Sequence, residues 1–238
     1  MNRNLVHTLF LFFVVITVSG QELTDFFDKS DSFFSSYVVD GRVKYAAIKN
    51  NPHELNEILK SAKDITIPAS NTENYQAFWI NMYNLLVIDG VVSNYPLKSP
   101  LDIVGFFDTI EHRIGGQVTT LNGIENNLLR AKFPNEPRFH FVLVCAGLGC
   151  PPIINKAYRP TLLESQLQEQ TRNALNNPDF IRVNGATVKI SQIFEWYKSD
   201  FEKAGGIVYF IDKFRNSKLP TDAQIAYYPY DWSLNSAR

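Results

Sequence analysis

Side chains that carry chemistry are scarce in this sequence. Its 238 residues include two cysteines and four histidines. There is no HExxH, no paired CxxC and no other metal-ligand spacing, so no metal is expected. A glycine-rich phosphate loop is also missing, and with it the case for a nucleotide or any other cofactor. Neither charge is in excess: 23 Lys and Arg stand against 24 Asp and Glu, scattered along the chain. That is no footprint for nucleic acid, and no such partner is expected. Long apolar runs are absent except at the start, where Leu9–Val18 is broken only by Thr17. Arg3 precedes that run and Val18-Ser19-Gly20 closes it with small residues, the pattern of a secretory signal cleaved near Gly20. The run is too short to span a bilayer comfortably. Met1–Gly20 is therefore expected to be a signal peptide, and the rest a secreted or periplasmic protein with no membrane span.

What remains has no Pro/Ser/Gly-rich linker and no internal repeat, so residues 21–238 are expected to form a single globular domain. Ser70-Asn71-Thr72-Glu73 is a capping box that opens the strongest helix, Asn71 to Ser93. That helix is apolar almost all round and should be buried. Asn81 and Asn84 share one of its faces; buried amides must either tie down backbone or line a wet pocket. Trp79 and Tyr83 share another face, a spacing that suits core packing. Paired glycines at Gly115-Gly116 and the Asn184-Gly185 step each predict a β-hairpin. Further helices are expected from Asn51-Pro52, from Thr161-Leu162-Leu163-Glu164 and after Ser191. The aromatic tail Tyr227–Asn235 should pack back on the domain. Helices mixed with short hairpins, without βαβ alternation, make the fold class α+β: a helix-rich domain around a small, mainly antiparallel sheet.

The chemistry concentrates in Arg138–Pro152, RFHFVLVCAGLGCPP, which holds both cysteines and His140. Phe139–Cys145 reads as a strand covered on both faces. After it, Gly147 and Gly149 break the run and Cys150 precedes Pro151-Pro152. Proline suits the first position of a helix, which would put Cys150 at a helix N-terminus where its thiolate is stabilised. Gly149 would let a substrate approach the backbone. Two readings of the cysteines stand at this point. Either Cys145 and Cys150 close a disulfide across the two glycines, or Cys145 is a buried small hydrophobe and Cys150 a reactive thiol. A cysteine nucleophile needs a base, and His140 is the candidate if the loop folds back along its strand. Glu125 could orient that imidazole, or could sit at the third position of a helix capped by Asn122. Arg130 and Arg138 could grip a substrate carboxylate, or pair with surface acids.

Taken together, FWINMYN (Phe78–Asn84), LNGIENNLLR (Leu121–Arg130), the central RFHFVLVCAGLGCPP, FEWYKSDF (Phe194–Phe201) and YDWSLN (Tyr230–Asn235) resemble the DUF547 family of uncharacterised domains, from about Phe33 to Asn235. The resemblance implies a papain-like or transglutaminase-like thiol enzyme through its Cys/His content. The expectation is a thiol-dependent hydrolase or transferase acting on an amide or a small thiol-containing peptide. Cys150 would attack, His140 would act as base and acid, and Glu125 would orient it. Asn81, Asn84, Trp79, Arg130 and Arg138 would line the substrate pocket. The rival is a non-catalytic binding or scaffold domain clamped by a Cys145–Cys150 disulfide.

Overall fold

The computed structural model describes the backbone of residues 3–237 and the side chains of residues 20–237. The expected signal segment thus falls, but for Gly20, outside the fully described residues. In chain order the elements are α1 (Arg3–Tyr37), β1 (Val38–Val39), β2 (Arg42–Val43), α2 (Tyr45–Asn50), α3 (His53–Ala62) and α4 (Thr72–Asn94). Next come β3 (His112–Ile114), β4 (Gln117–Thr119) and α5 (Leu121–Gly123), which runs into a π-helical stretch, Ile124–Arg130. The rest comprises α6 (Leu163–Asn176), β5 (Ile181–Asn184), β6 (Thr187–Ser191), α7 (Ile193–Trp196), α8 (Lys198–Lys203), α9 (Ile207–Phe214) and β7 (Gln224–Tyr228). The class is α+β. Among the described residues no helix is long and apolar enough to cross a membrane.

Among the described residues the strands make three small sheets rather than one: β1-β2, β3-β4 and β5-β6-β7. All pairs are antiparallel except β6 with β7, which is parallel. The Gly115-Gly116 hairpin forms as the sequence predicts, with both glycines at positive φ (62° and 72°). The next hairpin turns one residue later than Asn-Gly suggests. Asn184 pairs with Thr187, leaving Gly185-Ala186 as the loop, with Gly185 at φ 56°. A glycine at the first loop position fits a type II′ reversal.

The core has two parts. The first gathers Phe26, Phe33 and Phe34 of α1, Leu55 and Ile58 of α3, and most of α4. The second gathers Phe141, Ile181, Val188, Ile190, Phe194, Phe201, Phe210 and Phe214 around the three-stranded sheet and α7–α9. Each large apolar side chain removed from water contributes about 1.5–3 kcal/mol, so α4, buried almost throughout, anchors the first part. Cys150 packs against both parts, and the seam between them is where the cavity described below opens.

The central stretch is not a strand. Pro137–Phe141 is a turn of 3-10 helix, and Val142–Val144 is irregular. Among the described residues no strand pairs with it. The Val142 and Leu143 amides bond to the Phe139 carbonyl. Asn84 takes over the next groups: its Nδ2 donates to the Val142 carbonyl (2.9 Å) and its Oδ1 accepts from the Val144 amide (2.9 Å). A buried apolar run can therefore lie in an irregular path when a side-chain amide supplies the hydrogen bonds that a sheet would have given.

Candidate functional site at the seam between the two cores

A cavity of about 280 Å³ opens at the seam. Its floor carries Cys145 and Cys150, its polar wall Glu125 and His140, and its aromatic wall Phe107, Trp196, Tyr197, Tyr230 and Trp232. The two sulfurs are joined as a disulfide, with the Cα atoms 6.4 Å apart. Cys145 is thus half of a bonded pair rather than an isolated buried thiol. The residues after Cys150 form no helix, so the expected helix N-terminus is absent. Pro151 and Pro152 contribute no amides to replace it.

Other donors reach the sulfur instead. The Cys145 amide donates to Cys150 Sγ (2.9 Å), and so does the Tyr230 hydroxyl (2.9 Å). That hydroxyl also lies 3.0 Å from Cys145 Sγ, touching both sulfurs. Burial pushes the Tyr230 phenol far above its ordinary range, so it stays a neutral donor. The aromatic tail delivers it, clamped to the cysteine loop by backbone bonds from Leu148 N to Ser233 O (2.8 Å), Gly149 N to Asp231 O (2.7 Å) and Asn235 N to Ala146 O (2.8 Å). Gly149 faces this tail rather than a substrate. A Cβ there would lie 2.9 Å from the Asp231 nitrogen and from the Tyr230 ring, which excludes any larger residue without displacement. Between the cysteines Ala146 sits at φ 63°, a left-handed conformation that costs an alanine free energy and that the clamp holds in place.

His140 is 4 % exposed. Its Nε2 lies 3.0 Å from Asp200 Oδ2, and the ring stacks on Tyr197 with centroids 3.9 Å apart. Asp200 also accepts from Arg130 Nε (2.7 Å), and Lys203 Nζ is 3.6 Å from its other oxygen. The bonds from His140 and Arg130 hold the Asp200 carboxyl well below the usual carboxylate range. A carboxylate at Nε2 fixes the imidazole proton there, leaving Nδ1 toward Glu125, whose Oε1 is 4.0 Å away. Asp200 therefore occupies the orienting position expected of Glu125. Glu125 is not a capping residue either: Thr120 caps α5, its hydroxyl accepting from the Gly123 amide (3.0 Å), and Asn122 lies inside the helix. The π-helical stretch that follows carries Glu125, 9 % exposed, at the cavity wall. Such stretches recur at functional sites because they redirect side chains out of helical register.

The cavity thus brings together Cys150, His140 and Glu125, but His140 makes no hydrogen bond to either sulfur among the described residues. The remaining sequence candidates lie elsewhere. Asn81 is fully buried and braces the Tyr158 backbone through its Nδ2 (2.8 Å) and Oδ1 (2.9 Å). Asn84 braces Val142 and Val144 as described. Trp79 is core, packed against Tyr75 and Phe78. Arg130 is engaged by Asp200 and Asn126 and stacks over Tyr197 (4.7 Å). Arg138 lies away from the cavity, bound to Glu136 (2.6 Å) and Glu164 (2.8 Å). Sequence reading missed Asp200 as the partner of His140, and Tyr230 and Trp232 as cavity residues. Their aromatic surroundings in FEWYKSDF and YDWSLN were the available clue. Among the described residues no group of three or more His, Cys, Asp or Glu side chains is placed to hold a metal ion.

Residues 68–175 match the family described as "Protein of unknown function, DUF547". That stretch is a DUF547 domain. No curated protein and no solved structure matches the chain. The DUF547 match is narrower than the motif resemblance, beginning just before α4 and ending in α6. It contains Glu125, His140 and both cysteines. Residues that complete the cavity, among them Trp196, Tyr197, Tyr230 and Trp232, come after the DUF547 match, as does Asp200, which holds His140.

Proposed function

We propose that this chain is an exported thiol-dependent enzyme, a hydrolase or transferase acting on an amide or a small thiol-bearing peptide, with Cys150 as the attacking sulfur. One observation carries the reading: Cys150 Sγ accepts from both the Cys145 amide and the Tyr230 hydroxyl, in a cavity shared with His140 and Glu125. Two donors on one sulfur favour its thiolate and so its nucleophilicity once the pair is reduced. The thiolate would attack a carbonyl carbon and form a thioester, and the leaving amine or thiol would take a proton from the His140–Glu125 side of the cavity. Water or a second acceptor would then release the acyl group, returning the proton. His140 would exchange its proton at Nδ1, since Nε2 is held by Asp200. The aromatic wall suits a small ligand with an apolar part.

A second reading rests on the closed Cys145–Cys150 pair: a binding or scaffold domain in which the disulfide fixes the loop against the tail. Alkylation separates the two. The full chain is reduced, freed of reductant and treated with iodoacetamide across pH, with the label located by mass spectrometry. Thiol-dependent catalysis requires Cys150 to label rapidly below the ordinary thiol pKa of about 8.5 and faster than Cys145. It also requires His140→Ala to alter that pH profile. Equal, slow labelling of both cysteines, following an ordinary thiol titration, would leave the scaffold reading.

A further inference from the structure

We propose that Cys145 and Cys150 form a redox centre that exchanges with small disulfides and thiols entering the aromatic cavity. This rests on Cys150 being the reactive sulfur but asks more of the site, since Cys145 becomes its resolving partner.

Four observations carry it. First, the bonded pair is only partly buried and floors an open cavity, so a small molecule can reach it. Cys150 also borders a second groove of about 290 Å³, lined by Arg42, Asp179, Arg182 and Asp231 among others. Second, a purely structural role is poorly served here. Loop-closure stabilisation grows with ring size, and this bond joins residues only five apart. The loop it closes is already held by three backbone bonds to the tail. Third, that clamp does not depend on the bond, so reduction leaves both thiols facing each other in reach of recombination. Fourth, the Tyr230 hydroxyl contacts both sulfurs, at 2.9 and 3.0 Å. It can donate to whichever carries negative charge, which no donor to one cysteine alone could do.

In the dithiol form the Cys150 thiolate attacks one sulfur of a disulfide RSSR; the Cys150–SR bond forms, the substrate S–S bond breaks, and RS⁻ leaves and takes up the proton lost by Cys150. Cys145, giving up its own proton, then attacks Cys150 Sγ and expels the second RS⁻, which takes that proton. The dithiol is oxidised to the Cys145–Cys150 disulfide and RSSR is reduced to two RSH. Two equivalents of a small monothiol run the same steps in reverse. The two donors on Cys150, against the one contact to Cys145, make Cys150 the first attacker. Trp196, Trp232 and Phe107 favour disulfides with flat or apolar arms.

The test uses the reduced full chain and 4,4′-dithiodipyridine, a small aromatic disulfide whose release is read by absorbance. At about pH 6, native protein should react about tenfold faster than the same chain unfolded in urea, because an ordinary thiol is almost fully protonated there. It should release two thiopyridones and end as the Cys145–Cys150 disulfide. Cys145→Ser should release one and retain the probe on Cys150, while Cys150→Ser should react more slowly than either. Native protein slower than unfolded chain, or a wild-type Cys150 adduct that Cys145 never resolves, overturns the redox centre. If iodoacetamide still labels Cys150 rapidly in that case, the thiol-enzyme reading survives without it. If that labelling is slow too, both fall.

Discussion

Two buried polar clusters, one on α4 and one at the cavity, are put to different use. On the α4 side, Asn81 and Asn84 are surrounded by protein, and both ends of each amide are bonded to backbone. On the cavity side, Glu125, His140, Asp200 and Tyr230 are about as buried, yet three of them border open space. Burial alone therefore does not separate a brace from a reactive group. What separates them is whether each polar atom finds its partner in the fold or faces a cavity. The asparagines satisfy backbone that has no sheet to join; the cavity residues hold charge and protons beside two sulfurs.

Substitutions should break this comparison on one side at a time. The largest effect is expected from Asn84→Ala, which leaves the Val142 carbonyl and the Val144 amide unpaired in the core. Urea unfolding should show a loss of about 2–4 kcal/mol, one buried unsatisfied group costing about 1–3. Alkylation of Cys150 in the folded protein should be little changed.

Asp200→Asn should act on the cavity side alone. It removes the charge that pairs with Arg130 and orients His140, at a cost of about 1–3 kcal/mol near neutral pH. The sign of its pH dependence follows from the native carboxyl being held below its ordinary value. Its contribution is fully present above the ordinary carboxylate pKa, about 4, and disappears as pH falls through the lower native one. Wild type should therefore lose stability on acidification more steeply than Asp200→Asn. The smallest effect is expected from Arg138→Ala. Its acid partners lie away from the cavity and Glu164 is well exposed, so the loss should stay near 1 kcal/mol or below, with Cys150 labelling unaffected.

The fold was legible where local chemistry decides it. The position of α4, the Gly115-Gly116 reversal and the docked aromatic tail follow from residues a few positions apart, and so did the α+β class. The expected capping box does not form: Asn71 is the N-cap and no side chain caps the α4 amides. The central stretch was misread because a buried apolar run looks the same in a covered strand and in an irregular segment. Its path is set by Asn84, more than fifty residues away. The site was legible in part for the same reason. Cysteine and histidine are rare enough to be noticed wherever they fall. Asp200 and Tyr230 are common residue types, brought to His140 and to the sulfurs only when α8 and the tail fold into place. The expected role of Glu125 passed to Asp200 because the helix starts at Thr120 and continues as a π-helical stretch, which no capping pattern encodes.

The measurement that tests the division most directly is Tyr230→Phe, read twice on one preparation: unfolding stability, and the iodoacetamide rate at Cys150 after reduction. Among the described residues the hydroxyl bonds only to the two sulfurs, so its loss should move stability by no more than about 1 kcal/mol while slowing Cys150 alkylation below pH 8 about tenfold. A clear loss of stability with an unchanged labelling rate would contradict the account: Tyr230 would be one more brace, and the cavity a by-product of how the two cores meet.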